Sequence, residues 1–263
     1  MATLPGVLAR HLDGEVTTGI TVRRIIPHSG GFRVDMGAAG MLDARAVVVA
    51  TQPHVASRLL EGADMDAAVA AGAIQAPPMA VVFLGYARGA VSHPLDGLGF
   101  LTPESENRNL LGTQFCSTMF DARAPEGHVS VAGYFGGARA PDLARLPEAD
   151  LVALAREEFR DLIGARGDPV VARVRHWPVG LPQYRPGHRR LVNELRCLSQ
   201  RLPGLYATGN YFSGPSVAAC LNVAQETVVE VGNYLEKKTP TAAGAHLSKE
   251  AIHSAAQSIS LPR

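Results

Sequence analysis

Short apolar runs, rather than long helical repeats, fill most of the first 180 residues of the chain. In the N-terminal part they lie at residues 16–18, 20–26, 32–36 and 46–50. A second series lies at residues 80–86, 99–102, 110–115, 129–134 and 170–176. Runs of this length, bounded by Gly, Pro, Ser and Asn, predict β-strands.

Helical periodicity appears at fewer places. Residues 147–164 carry apolar side chains at roughly helical spacing and predict a helix that packs on the second series of strands. Shorter helices are predicted at residues 1–12, 52–62 and 64–72. Residues 205–208 predict a further strand, followed by a loop bounded by Gly209 and Gly214 and a helix that Ser216 caps.

The order of these elements predicts an α/β (α+β) fold in which one region interrupts another. A mainly antiparallel sheet at residues 77–176 is inserted into a domain built from residues 1–76 and 177–237. The polar composition of residues 238–263 predicts a flexible tail.

Composition excludes several classes of function. The chain has 263 residues with 25 basic and 24 acidic side chains, a balance that argues against nucleic-acid binding. No apolar run reaches the roughly 20 residues of a transmembrane helix, and residues 1–13 lack the features of a secretory signal. Cys116, Cys197 and Cys220 lack metal-ligand spacing, and an odd number of distant cysteines is typical of a reduced, cytoplasmic protein.

Two blocks of sequence resemble the protoporphyrinogen oxidase family, within the superfamily of flavin amine oxidases and carotenoid desaturases. One comprises HWPVGLPQYRPGH at residues 176–188, LPGLYATGN at 202–210 and SGPSVAACL at 213–221. The other comprises PLDGLGFLTPESENRNLLGTQF at 94–115, MFDARAPEGH at 119–128 and GYFGGARAPDL at 133–143. Weaker similarity at residues 16–25 and 46–60 extends the resemblance over nearly all of residues 3–235.

This resemblance implies a partial FAD-binding domain with an inserted substrate-binding sheet. The implied activity is the FAD-dependent oxidation of protoporphyrinogen IX to protoporphyrin IX in haem biosynthesis, with a tetrapyrrole as substrate. Such chemistry is carried by the flavin, so no residue is assigned as a catalytic acid or base, and the histidines show no metal-ligand spacing. The alternatives are another FAD-dependent desaturase or amine oxidase, and a non-catalytic remnant or binding subunit.

The resemblance also implies which residues contact the FAD. They are Val22, Ala50, Thr51, Trp177, Gly209, Asn210, Gly214, Ser216, Val217 and Ala218. The start of the helix at Ser216 would stabilise negative charge on the flavin ring. Val22 and Trp177 are equally interpreted as packing residues. The family pattern has an acidic residue just before the cysteine, whereas Ala219 precedes Cys220 here.

The tetrapyrrole is expected to contact Leu101, Gln114 and Tyr134. The family has two leucines and a phenylalanine at these places, so Gln114 departs from the apolar pattern. Tyr134 retains an aromatic face that stacks on a pyrrole ring. The alternative is that all three side chains belong to the core of the sheet.

One expected element is missing from the sequence. Proteins of this family begin with a strand, a G-x-G-x-x-G turn and a helix that hold the pyrophosphate of FAD, and no such motif occurs in this chain. The chain is therefore interpreted as a truncated product or as half of a split enzyme, with a partner chain that supplies the N-terminal FAD-binding half. The expected location is cytoplasmic, either free or peripheral to the inner membrane through that partner.

Overall fold

The computed structural model describes residues 3–12 and 16–237, so the predicted tail at residues 238–263 lies outside it. A five-stranded sheet occupies the middle of the chain. Its strands run in the spatial order β6-β7-β8-β5-β9, and every neighbouring pair is antiparallel. The strands are β5 (Met79–Ala87), β6 (Gly99–Leu101), β7 (Leu110–Gln114), β8 (His128–Gly136) and β9 (Val171–Trp177).

Helix α5 (Glu148–Ile163) covers one face of this sheet. Leu151, Ala155 and Phe159 are fully buried, and they share a core with alternate residues of β5 such as Val82. Every fourth residue of α5 and every second residue of β5 therefore contribute side chains to the same core. The chain leaves α5 at Gly164, whose φ of 63° is left-handed and whose carbonyl accepts the Ser92 N–H; a Cβ at this position would collide with the Ser92 Oγ.

The segments on either side of this sheet share a second core. Strands β4 (Val47–Val49) and β10 (Leu205–Ala207) pair in parallel, with Leu205 opposite Val47. Around them pack α2 (Pro53–Leu60), α3 (Met65–Gly72), α6 (His188–Arg196) and α7 (Leu198–Arg201). The mixed fold class with an antiparallel sheet, predicted from the sequence, is confirmed.

The N-terminal region differs from the prediction. Helix α1 (Thr3–Arg10) buries no side chain, and a small antiparallel sheet follows, made of β1 (Arg24–His28), β2 (Gly31–Asp35) and β3 (Met41–Ala44). The strand predicted at residues 16–18 was wrong, because these exposed residues have no pairing partner among the described residues. The strand predicted from residue 20 begins only at Arg24, where β2 becomes its neighbour.

The last helix, α8 (Val217–Lys237), has 21 residues but buries only Val223 and Thr227. Short α4 (Cys116–Met119) lies beside β8. Among residues 3–12 and 16–237, no helix combines the length and the apolar character needed to cross a bilayer.

Candidate functional site

The three residues expected to bind the tetrapyrrole lie together on the face of the sheet opposite to α5. Leu101 is 86% exposed, and its backbone pairs with Gly112, which in turn pairs with Tyr134. The Tyr134 hydroxyl donates a hydrogen bond of 2.6 Å to the Gln114 Oε1. Leu101 and Gln114 are exposed, so the interpretation of all three as core residues was wrong.

A β-bulge brings Tyr134 and Gln114 together. Leu110 pairs with Phe135 and Gly112 pairs with Tyr134, so Leu111 is an extra residue in β7. Gly112 lies tightly against β6, and a Cβ there would be 2.8 Å from the Phe100 carbonyl oxygen. The Leu101 Cδ2 would be 2.9 Å from the same Cβ, so glycine at this point lets the Leu101 side chain lie over β7.

The electrostatics of Tyr134 suit a neutral hydrogen-bond donor. Its burial raises the pKa of the phenol, and the neighbouring Cys116 thiolate would raise it further. Burial likewise raises the pKa of the Cys116 thiol. Both groups are therefore neutral near pH 7, and neither is prepared to act as a general base.

Several residues expected to contact FAD cluster at one edge of the parallel strand pair. Because β4 and β10 are parallel, Ala50 and Thr51 follow one strand at the same edge where Thr208 and Gly209 follow the other. The Thr208 amide donates to the Val49 carbonyl, 3.0 Å away. Val22, in contrast, packs half-buried against the core of the flanking segments.

The loop after β10 is shaped by a buried tyrosine. Gly209 has a φ of +150°, and a Cβ there would be 2.8 Å from the Tyr211 ring. Tyr211 is fully buried, its hydroxyl has no hydrogen-bond partner among the described residues, and burial raises its pKa. The Asn210 carbonyl accepts a hydrogen bond from the Tyr184 hydroxyl. The glycine at 209 thus allows Tyr211 to enter the core.

In the first turn of helix α8, one backbone N–H is capped and two others remain without an acceptor in the described part of the chain. The Ser216 Oγ accepts the Ala219 N–H at 3.1 Å, as the sequence predicted for a cap, and Gly214 precedes it with a φ of +141°. The N–H groups of Val217 and Ala218 have no acceptor among the described residues. These two amides and the positive end of the helix can therefore hold an anionic or carbonyl group.

Ala219 removes one part of this cap. An acidic residue at this third position of the helix would accept the backbone N–H of Ser216 and complete a capping box. The methyl group of Ala219 has no acceptor, so the departure from the family pattern leaves the N-terminus of α8 without the second bond of a capping box.

Trp177 lies at the end of β9 and is 44% exposed, so the interpretation as a core residue was wrong. The guanidinium carbon of Arg175 lies over this ring, 5.1 Å from its centroid. Tyr184 follows in the connection from β9 to α6, and its ring lies 4.7 Å from that of His188. This connection joins the end of the antiparallel sheet to the loop after β10.

Sequence reasoning missed two of these residues. Tyr184 is recognisable only through its bond to the Asn210 carbonyl, which needs the fold. Arg175 had a visible signal, since charged and apolar residues alternate in VARVRHW. No group of three His, Cys, Asp or Glu suited to a metal ion occurs within the described ranges.

A parallel strand pair leads through a glycine loop into a capped helix and is joined to an antiparallel sheet. The sequence model of the flavin containing amine oxidoreductase family matches residues 1–231. The chain therefore belongs to this family of flavoenzymes, and FAD is the cofactor that membership implies.

Curated relatives carry porphyrin-related names. The chain is 32% identical over 206 residues to the chloroplastic protoporphyrinogen oxidase of Nicotiana tabacum, covering 74% of this chain and 38% of the relative. It is 29% identical to protoporphyrinogen oxidase 1 of Arabidopsis thaliana, covering 89% and 46%. It is 26% identical to the coproporphyrinogen III oxidase of Bacillus subtilis, covering 80% and 45%. The chain thus spans less than half the length of these relatives.

Solved structures share the fold. A crystal structure from Exiguobacterium sp. 255-15, provisionally assigned as a protoporphyrinogen oxidase, matches with a TM-score of 0.74 at 18% identity, covering 89% of this chain and 51% of the other. A mutant putrescine oxidase matches with a TM-score of 0.69 at 13% identity, covering 90% and 53%. At such identities the likeness concerns architecture alone.

Proposed function

We propose that this chain provides the substrate sheet and the flavin-facing helix of an enzyme that oxidises protoporphyrinogen IX to protoporphyrin IX. The observation that carries the proposal is the open sheet face on which Tyr134, Gln114 and Leu101 meet. Its aromatic and aliphatic surface suits a flat, largely apolar macrocycle. The names of the curated relatives support the same substrate class.

FAD supplies a two-electron acceptor when bound, so the protein's own work is to bind and orient. The amides of Val217 and Ala218 hold the polar edge of the flavin, and Trp177 forms an apolar wall beside it. Tyr134 keeps its proton, because its pKa is raised, and stacks its ring on the substrate while Gln114 fixes its orientation. Ala50 and Thr51 line the path toward the rest of the cofactor.

The proposal includes a second half of the fold, contributed by a partner chain or by a longer form of this one. Val228 and Val229 are 61% and 62% exposed on α8, and Val48 of β4 is exposed next to them. An apolar groove of about 510 Å³ runs between these elements. Uncovered apolar surface of this kind marks an interaction site. This exposed groove supports the proposal that the nucleotide-binding half packs against α8 and β4.

The test is complementation. The chain is expressed with the N-terminal half of the tobacco relative, and flavin absorbance and the fluorescence of newly formed protoporphyrin are measured. The chain alone is expected to hold no tightly bound flavin and to self-associate, and the pair to be yellow and active. Val228→Arg should weaken assembly, whereas Val170→Arg should not, since Val170 is 59% exposed beside β9.

Each alternative has its own outcome. An assembled, yellow pair that oxidises putrescine but not protoporphyrinogen would establish an amine oxidase in its place. An assembled pair without flavin would establish a binding subunit. The cytoplasmic location expected from the sequence stays a prediction, to be checked by fractionating cells that express the chain.

A further inference from the structure

The open face of the five-stranded sheet has an uneven charge. Strands β5 to β9 contain no Asp or Glu, and the face opposite to α5 carries two arginines of β9, Arg173 and Arg175. Both side chains are exposed. The face is therefore apolar toward β6 and cationic toward β9.

Strand register puts Arg175 in line with the proposed substrate residues. Arg175 is opposite Val81, and Val81 is opposite Tyr134, so one strand separates the arginine from the tyrosine. Neighbouring strands lie about 4.8 Å apart, which gives a separation of about 10 Å between the two backbones. Arg173 lies in the next row, in which Phe83, Ala132 and Gln114 follow across the sheet.

Neither arginine has an acidic partner within the described residues. Arg175 stacks on Trp177, and the Arg173 Nη1 donates to the Ala172 carbonyl at 2.8 Å. Elsewhere in the fold exposed arginines do pair, for example Arg33 with Asp43 and Arg156 with Asp168. The stacked guanidinium of Arg175 keeps its N–H edge available for a planar, bidentate acceptor.

We infer that Arg175, assisted by Arg173, forms a carboxylate subsite that orients the tetrapyrrole on the sheet. The inference rests on the proposed function and adds the direction of binding: the macrocycle lies over Val81 and Tyr134, with its carboxylate-bearing edge toward β9. Arginine is suited to this task because its planar fork matches a carboxylate. The apolar edge of the macrocycle then meets Leu101.

The test compares two probes on the full chain, protoporphyrin IX and its uncharged dimethyl ester, by porphyrin fluorescence anisotropy. The wild type should bind the free acid about 10-fold more tightly than the ester, the scale of one charge-assisted hydrogen-bonded pair. Arg175→Gln should abolish most of this preference and leave ester binding unchanged, and Arg175→Lys should restore part of it. Arg160→Gln, on α5 at the opposite face, is the matched control.

The outcomes separate the two proposals. Equal binding of acid and ester by the wild type would overturn the carboxylate subsite and leave the substrate class intact. Binding of neither probe would count against the proposed function itself. If Arg160→Gln and Arg175→Gln lost the preference for the free acid to the same extent, that preference would come from the general surface charge. This result would also overturn the subsite.

Discussion

Arg201 donates two hydrogen bonds to the carboxylate of Asp64, from Nε to Oδ2 at 2.6 Å and from Nη2 to Oδ1 at 3.0 Å. Asp64 also caps α3 by accepting the Ala67 N–H at 2.8 Å. Since Asp64 precedes the antiparallel sheet in sequence and Arg201 follows it, this ion pair joins the two flanking segments; the Asp64 side chain is 8% exposed and that of Arg201 is 33% exposed.

Asp64→Asn should therefore destabilise the fold by about 1–3 kcal/mol through loss of the charge-assisted bonds to Arg201, because asparagine keeps the cap but not the charge. The Arg201 hydrogen bonds lower the pKa of Asp64. The carboxylate thus contributes stability above its unfolded pKa of about 3.9, and this contribution disappears as pH falls through the lower folded pKa.

Urea unfolding at several pH values measures both effects. The wild type should lose stability below about pH 4 more steeply than Asp64→Asn. Asp43→Asn, which breaks the exposed pair with Arg33, should change little. Parallel pH profiles for the wild type and Asp64→Asn would contradict the assigned role.

Tyr134→Ala should weaken porphyrin binding by about 1–3 kcal/mol, the scale of losing a packed aromatic contact. Tyr134→Phe keeps the ring and removes only the bond to Gln114, so most of the affinity should remain. Porphyrin titration by fluorescence makes the comparison. If a folded Tyr134→Ala protein bound as tightly as the wild type, Tyr134 would have no place in the substrate surface.

Gly209→Ala should destabilise the chain by about 2 kcal/mol or more, because a left-handed φ is combined with a collision at the Tyr211 ring. Gly187→Ala is the control, since its φ of +88° is also left-handed but no atom lies within 4 Å of the added Cβ. Thermal unfolding of the two variants separates strain from collision. Equal destabilisation by Gly209→Ala and Gly187→Ala would show that the Tyr211 ring is not the reason for a glycine at position 209.

Ser216→Ala should cost α8 about 1 kcal/mol of local stability by removing its cap. Ala219→Glu should have the opposite sign, because it rebuilds the capping box with Ser216. Amide hydrogen exchange over residues 219–223 reports these changes where they occur. Unchanged exchange in both variants would show that the first turn is held by other contacts.

The sequence predicted the regular parts of the sheet better than its edges. Strand β5 and helix α5 were recognisable because each buries residues at a regular period, and β8 because it is a largely buried run of small and apolar residues. Strand β3 was missed because Met41 and Leu42 are both exposed, and α6 because only Val192 and Leu195 of its charged sequence reach the core.

The site shows the same division. The Ser216 cap is local and was predicted from residue type. The contact between Tyr134 and Gln114 depends on the extra residue Leu111, and no single-sequence pattern announces the position of such a bulge. The line from Arg175 to Tyr134 crosses three strands, so it exists only once their register is set.

The parallel pairing of β4 and β10 has a consequence for the order of folding. It joins residues 47–49 to residues 205–207, so three residue pairs close a very long loop. In the antiparallel sheet, β6–β7 and β7–β8 are sequence neighbours, and its most distant pair, β5 with β9, is still closer in sequence than β4 with β10. Formation of this sheet therefore shortens the loop that the β4–β10 pairing has to close. We expect the antiparallel sheet to form first and the core around β4 and β10 to assemble last. Amides of β5 and β8 should therefore gain protection in pulsed hydrogen exchange before those of β10.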